Sequence, residues 1–200
     1  IESHKVFETA HWVDKMFYPR VMDRNKVFGN RVRDDEIAVL YAGRLSDEKG
    51  VFDLPAVVEE AKAEGLNLKL LIAGKGPAEE RLKEALPDAV FLGWVEKEKM
   101  PELYSQVDLL VLPSRFDTFG NVILEAMSCG TAVAAYDEKG PKNIIKSQKN
   151  GILAKDLDDL KDKIKLFVKD STYRHALKTN SLKRAKNYTP EKIMASFVAD

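Results

Sequence analysis

From residue 36 onward, short apolar runs alternate with stretches of helical periodicity. The runs are "IAVLYAG" (37–43), "LKLLIAG" (68–74), "AVFLG" (89–93), "DLLVLP" (108–113), "TAVAAY" (131–136) and "GILA" (151–154). Between them lie "VFDLPAVVEEAKAEG" (51–65), which stops at Gly65, and "PAEERLKEAL" (77–86), with proline and acids in its first turn. "EKEKMPELYSQ" (96–106) and the run from Gly120 to Ser128 complete the alternation. Apolar strands spaced by helices are parallel and covered on both faces. The pattern therefore predicts a doubly wound, Rossmann-like α/β sheet. From residue 156 the sequence is helical to its end, while residues 1–35 are polar, dotted with aromatics and read as a lead-in segment to a domain over 36–200.

At 200 residues the chain can bury a real core, and its 32 basic and 32 acidic residues cancel. No net charge draws it to nucleic acid or to a membrane, so any anion site must be local. The longest apolar runs, such as 107–112, fall far short of the about 20 residues a membrane helix needs. No signal or transit segment is visible, and the start at Ile1 reads as processed or as a piece of something longer. The single cysteine, Cys129, excludes an internal disulfide, fits a reducing compartment and reads as a packing residue at a helix end. His4, His11 and His175 are scattered without metal-ligand spacing, so no metal is expected.

In open parallel sheets ligands bind outside the carboxyl ends of the strands, which selects the loops after residues 43, 74, 93, 113 and 136. In "GRLSDEKG" (43–50), Arg44 and Lys49 bracket a tight turn before a helix start, a combination that suits a phosphate or diphosphate; a solvated turn of Asp47, Glu48 and Lys49 is the plainer alternative. In "GKGPAEER" (74–81), two glycines permit close backbone approach and Lys75 adds a charge, although a simple strand-to-helix turn explains the loop almost as well. Neither loop carries a phosphate-loop or dinucleotide fingerprint. "FLGWVEKE" (91–98) sets Trp94 and Val95 after a strand-end glycine, where the tryptophan reads as core in preference to a platform near a base.

The stretch "SRFDTFGNVILEAMSCG" (114–130) is the most demanding. Glu125 interrupts a helix that is otherwise apolar on almost every side, and a buried carboxylate is costly unless something hydrogen-bonds it. A cationic partner elsewhere in the chain would serve; so would the vicinal hydroxyls of a ribose, which match a carboxylate's two oxygens. Asp117 and Thr118 suit helix capping, and Gly120, lacking a side chain, lets a phosphate or sugar approach the amides at the helix start.

Taken together, "YAGRLSDEKG", "LLIAGKGPAEERL", "VFLGWV", "VDLLVLPSRFDTFGNVILEAMSCGTAVAA" and "NGILA" resemble, in order and spacing, the C-terminal, nucleotide-sugar-binding half of the retaining glycosyltransferases of family four, which have the GT-B fold. The resemblance covers roughly residues 11–200, and its most specific element is the pair of acids, Asp117 and Glu125, with seven residues between them that include Phe-Gly-Asn-Val. It implies a transferase that moves a hexose, as a mannosyl- or glucosyltransferase, from a UDP- or GDP-linked sugar to a sugar, glycan or lipid acceptor. By that likeness Arg44 and Lys49 grip the diphosphate beside Gly43 and Lys75, Glu125 holds the ribose, and Val95 lies by the base. Asp117 faces the transferred sugar, with Phe119, Gly120, Asn121 and Val122 near sugar and phosphate. "HWVDKMFYP" (11–19) resembles the stretch that enters this half from the hinge, and 171–200 its closing helices. The chain departs from the family in having Asp117 where glutamate is usual and, in "GPKN", Asn143 where an acid often follows Gly-Pro-x.

The N-terminal, acceptor-binding half is the implied partner. The expected location is the cytoplasm, with peripheral attachment at the cytoplasmic membrane face through that half left open. A non-catalytic nucleotide- or sugar-binding module is the competing reading. The acid pair Asp156 and Asp158 would suit a metal-dependent transferase of the other major fold, but it opens a helix, where acids complement the dipole.

Overall fold

A computed structural model describes residues 12–115 and 120–198, with side chains described through Ala195. Six parallel strands form one sheet: β1 (Ile37–Ala42), β2 (Leu68–Ala73), β3 (Val90–Gly93), β4 (Leu109–Leu112), β5 (Ala132–Tyr136) and β6 (Ile152–Ala154), in the order β3-β2-β1-β4-β5-β6. All six apolar runs are strands, and the doubly wound, Rossmann-like class expected from them is the observed one. The order reverses between β1 and β4. Connections on the two sides of that seam run in opposite directions, so a crevice opens at its carboxyl end.

The helices are α1 (Arg24–Phe28), α2 (Leu54–Ala63), α3 (Glu79–Ala85), α4 (Met100–Gln106), α5 (Asn121–Ser128), α6 (Lys139–Ile144), α7 (Leu157–Lys169), α8 (Ser171–Ala185) and α9 (Pro190–Val198). Alternating strand residues feed two cores. Ala38, Leu40 and Ala42 face α4 and α5, whereas Val39 and Tyr41 face α2, α3 and α7. The segment before β1 does more than lead in, because Val13, Phe17, Phe28 and Val32 are buried in the first core. Two helices were not legible as such, α1 and α6. In α6 Pro141 stands in the first turn, where its missing N–H leaves no bond unmade.

At the amino end of the sheet, Asp108 accepts from Arg24 at 2.9 Å, from Lys178 at 3.1 Å and from the Ala38 amide at 3.0 Å, tying α1 and α8 to β1 and β4. Asp156 caps α7 by accepting from the Asp159 amide at 2.9 Å, and Asp158 pairs with Lys161 at 2.7 Å. Those acids are thus used locally. Among the described residues no helix is long and apolar enough to cross a membrane.

Candidate functional site

The loops after β1, β2 and β4 touch one another through backbone. A Cβ on Gly50, whose φ is 66°, would lie 1.8 Å from the Pro113 carbonyl oxygen; one on Gly74, φ 141°, would lie 1.8 Å from that of Gly43. No side chain fits at either place. The Leu45 amide donates to the Lys75 carbonyl at 3.1 Å and the Ala78 amide to the Leu45 carbonyl at 3.0 Å, lacing the first two loops together. The close approach permitted by the glycines of "GKGP" is therefore to the neighbouring loop. On this frame Arg44 is exposed, with its carbonyl accepting from the Tyr41 phenol at 2.7 Å, and Lys49 closes a 3-10 turn, Asp47–Lys49. Asp47 and Glu48 are exposed, as a solvated turn requires, and that turn holds Lys49 at the edge of the frame.

Beyond Lys49, a side-chain cluster ties three strand ends together. The Tyr136 phenol, at the end of β5, donates to Asp53 Oδ2 at 2.5 Å. Arg115, after β4, stands 3.7 Å from the same oxygen and 4.6 Å over the Tyr136 ring. Burial first, and the Asp53 carboxylate second, push the Tyr136 hydroxyl well above the usual phenol range, so it stays a donor. Sequence reading missed this trio. Its members come from three separate segments, and only an aspartate just past Lys49-Gly50 hinted at it.

Glu125 lies on α5, half-buried, with Ile123, Leu124, Ala126 and Met127 buried around it. Among the described residues its hydrogen-bond partner is a phenol, not a cation: Tyr104 of α4 donates to Glu125 Oε2 at 3.3 Å. Burial raises the Glu125 carboxyl above its ordinary value; the Tyr104 bond and the Lys97 ammonium pull it back, and the Asp14 carboxylate raises it further. The carboxylate borders a cleft of about 440 Å³ shared by Trp12, Asp14, Lys97, Asn121 and Leu124. Lys97 pairs with Asp14 at 3.0 Å across its rim. That the lead-in segment supplies a wall of this cleft was not legible in the sequence.

Gly120 begins α5 in the left-handed conformation, φ 62°, its carbonyl accepting from the Ile123 amide at 2.8 Å. Asn121 is exposed and Val122 half-buried beside it. Val95 packs partly against the α4–α5 core, and the exposed Lys75 runs past the end of β3, its Cε 3.7 Å from where a Gly93 Cβ would stand. Trp94 is 68% exposed and is not a core residue. Its strand-end glycine turns it outward. Asp117, Thr118 and Phe119 lie outside the described residues, and with them the expected sugar contact and the capping alternative. Cys129 is buried, its thiol pushed up to about 12 by burial, and packs as expected. Among the described residues no group of three or more His, Cys, Asp or Glu side chains is placed to hold a metal ion.

A family profile described as "Glycosyl transferases group 1" matches residues 22–184, most of the chain and all six strands. The chain belongs to this family. It is 31% identical over 169 residues to a GDP-mannose-dependent alpha-mannosyltransferase of Corynebacterium glutamicum, covering 81% of this chain and 39% of that relative. Its fold superposes on sucrose-phosphate synthase from Thermosynechococcus elongatus with a TM-score of 0.81 at 26% identity, over 95% of this chain and 50% of that one. The C-terminal domain of a group 1 glycosyl transferase from Francisella tularensis gives a TM-score of 0.73 at 23% identity, over 88% of this chain and 97% of that domain, a likeness of fold. The chain spans 32%, 39% and 40% of the length of three curated relatives that it matches. The sheet thus has the Rossmann-like architecture of GT-B glycosyltransferase structures.

Proposed function

We propose that this chain is the donor-binding, C-terminal half of a retaining glycosyltransferase that moves a hexose from a nucleotide-diphosphate sugar to a sugar, glycan or lipid acceptor. The observation that carries the reading is Glu125, a carboxylate kept in an apolar helix and bordering a cleft at the carboxyl end of the sheet. This carboxylate receives the ribose. Arg44 and Lys49, held by loops that meet at Gly50 and Pro113, receive the diphosphate and stabilise the negative charge that develops on it as the sugar departs. Val95 and Lys75 flank the base, and Gly43, Gly120, Asn121 and Val122 border phosphate and sugar. Asp117 and Phe119 are assigned to the sugar by their spacing from Glu125 alone. No metal takes part, because the two cations and the helix amides supply the positive charge. The match in extent to a C-terminal domain supports the placement in the whole protein. The mannosyltransferase relative supports a GDP-linked donor, with UDP the alternative. The working location is the cytoplasm, where nucleotide sugars of this class are met, with membrane attachment assigned to the acceptor half.

The chain by itself binds donor without transferring it. One wall of the cleft cannot orient an acceptor, and orientation accounts for about 7–11 kcal/mol of barrier lowering. Calorimetric titration with UDP-, GDP- and ADP-linked sugars, with and without chelator, tests the reading. One nucleotide is expected to bind, unaffected by chelator. Absence of binding by all three, or binding only with a divalent cation, overturns it.

A further inference from the structure

The contact between Tyr104 and Glu125 has more in it than packing. Tyr104 is wholly buried, and a buried hydroxyl must find an acceptor; its acceptor is Glu125 Oε2 at 3.3 Å. The ring has little freedom. It packs against Phe17 with centroids 6.2 Å apart, and the Tyr104 carbonyl is held by the Thr131 hydroxyl at 2.5 Å. The phenol is thus a fixed donor aimed at one oxygen of a carboxylate whose other oxygen, Oε1, accepts no hydrogen bond among the described residues. Glu125 itself borders the cleft.

We propose that Tyr104 is a positioning residue for nucleotide recognition: by holding Glu125 Oε2 it fixes the carboxylate plane, leaving Oε1 to meet a ribose hydroxyl. This rests on the reading that Glu125 takes the ribose. The groups that face the carboxylate are few. Tyr104 comes from α4, Lys97 from the turn before it, Asp14 from the lead-in segment and Cys129 from the end of α5. Of these only Tyr104 hydrogen-bonds Glu125, while Lys97 is engaged by Asp14 at 3.0 Å. Burial opposes the charge, and the phenol is the largest single group that favours it. Removing the hydroxyl should therefore raise the proton affinity of Glu125. Binding that needs the carboxylate is lost as pH falls through that group's pKa, so the acid limb of binding should move to higher pH.

The bond is at the long end for O–H···O, so its effect is expected to be that of one modest hydrogen bond. The experiment compares wild type, Tyr104→Phe, Glu125→Gln and the double variant. UDP, GDP and their 2′-deoxy forms are titrated from about pH 5 to 8, and melting curves are recorded for each protein. Tyr104→Phe keeps the ring and its packing. It should weaken the ribonucleotide about fivefold and the deoxynucleotide less than twofold, with the acid limb displaced upward by about half a pH unit. In the Glu125→Gln background the same change should alter the ratio of ribo to deoxy affinity no further. Equal weakening of both nucleotides by Tyr104→Phe, or an unmoved acid limb, overturns the positioning role. A Glu125→Gln protein that keeps the wild-type ratio instead overturns the underlying ribose assignment.

Discussion

The loops after β1, β2 and β4 and the helix pair α4–α5 are held together by different means. The loops meet through backbone, at Gly50 against Pro113 and Gly74 against Gly43, at distances that admit no side chain. The helix pair meets at a functional group, Tyr104 on Glu125, and beside it Lys97 of the turn before α4 pairs with Asp14 of the lead-in segment. A backbone contact fixes position with little regard to charge or pH. A side-chain contact sets charge and orientation, and it can be tuned without moving the chain. The loop side, to which we assign the diphosphate, is thus expected to fail by misfolding, and the helix side, to which we assign the ribose, by losing discrimination.

The sharpest way to break the comparison is at Gly50. Alanine there meets both the left-handed backbone and the Pro113 carbonyl, and should cost about 4 kcal/mol, read from the denaturant midpoint. Gly65 has nearly the same φ, 65°, with nothing within 4 Å, so alanine there should cost only about 1 kcal/mol. Equal losses would show that loop contact contributes nothing. Next in size, Arg44→Ala and Lys49→Ala should each weaken nucleoside diphosphate binding by about 1.5–3 kcal/mol while sparing the nucleoside. Calorimetry on both ligands reads the difference; matched losses would move these cations away from the phosphates.

Asp53 is where side chains do hold the loop side. Asp53→Ala strands the buried Tyr136 hydroxyl and should lower stability by about 1.5 kcal/mol, with much of the loss absent when Tyr136 is already phenylalanine. Additive melting losses would mean the two groups do not act together. The smallest effect is expected at Glu125→Leu. The native Glu125 carboxyl is raised above 4.5, so the folded state binds that proton more tightly than the unfolded chain. The contribution of this one group to stability therefore falls as pH rises from about 4.5 through the raised value and levels above it. The leucine variant lacks this dependence, and at neutral pH should equal or exceed wild type by up to about 1 kcal/mol, yet bind nucleotide poorly. Thermal melts across pH check the sign; a destabilised leucine variant would make Glu125 a structural residue.

What the sequence made legible follows the same division. Strands such as "IAVLYAG" and "DLLVLP" announce themselves by length and apolarity, and the parallel class follows from the helices between them. The glycines of the strand-end loops were visible, but not what they approach, because that depends on which loops become neighbours. Glu125 stood out as an anomaly in an apolar helix. Its partner Tyr104 did not, because only the packing of α4 on α5 brings the two together. The wall formed by Trp12 and Asp14 was hidden for the same reason, as was the Tyr136–Asp53–Arg115 cluster. Trp94 misled because size and apolarity argue for burial, and a positive φ at Gly93 precedes it at the strand end.

The Val13 amide donates to the Tyr188 carbonyl at 2.9 Å, and Lys15 pairs with Glu191 at 2.6 Å, so the stretch entering the sheet and the stretch leaving it lie side by side next to the cleft. Topologically the fold is almost a ring. A short tether across that seam, with the backbone opened instead at the exposed turn around Gly65, would rearrange the order in which the strands are threaded while leaving each strand its present neighbours. In such a permuted chain Trp12 and Asp14 still face Glu125 across the cleft, because the cut falls at the amino end of β2, away from the residues that line it.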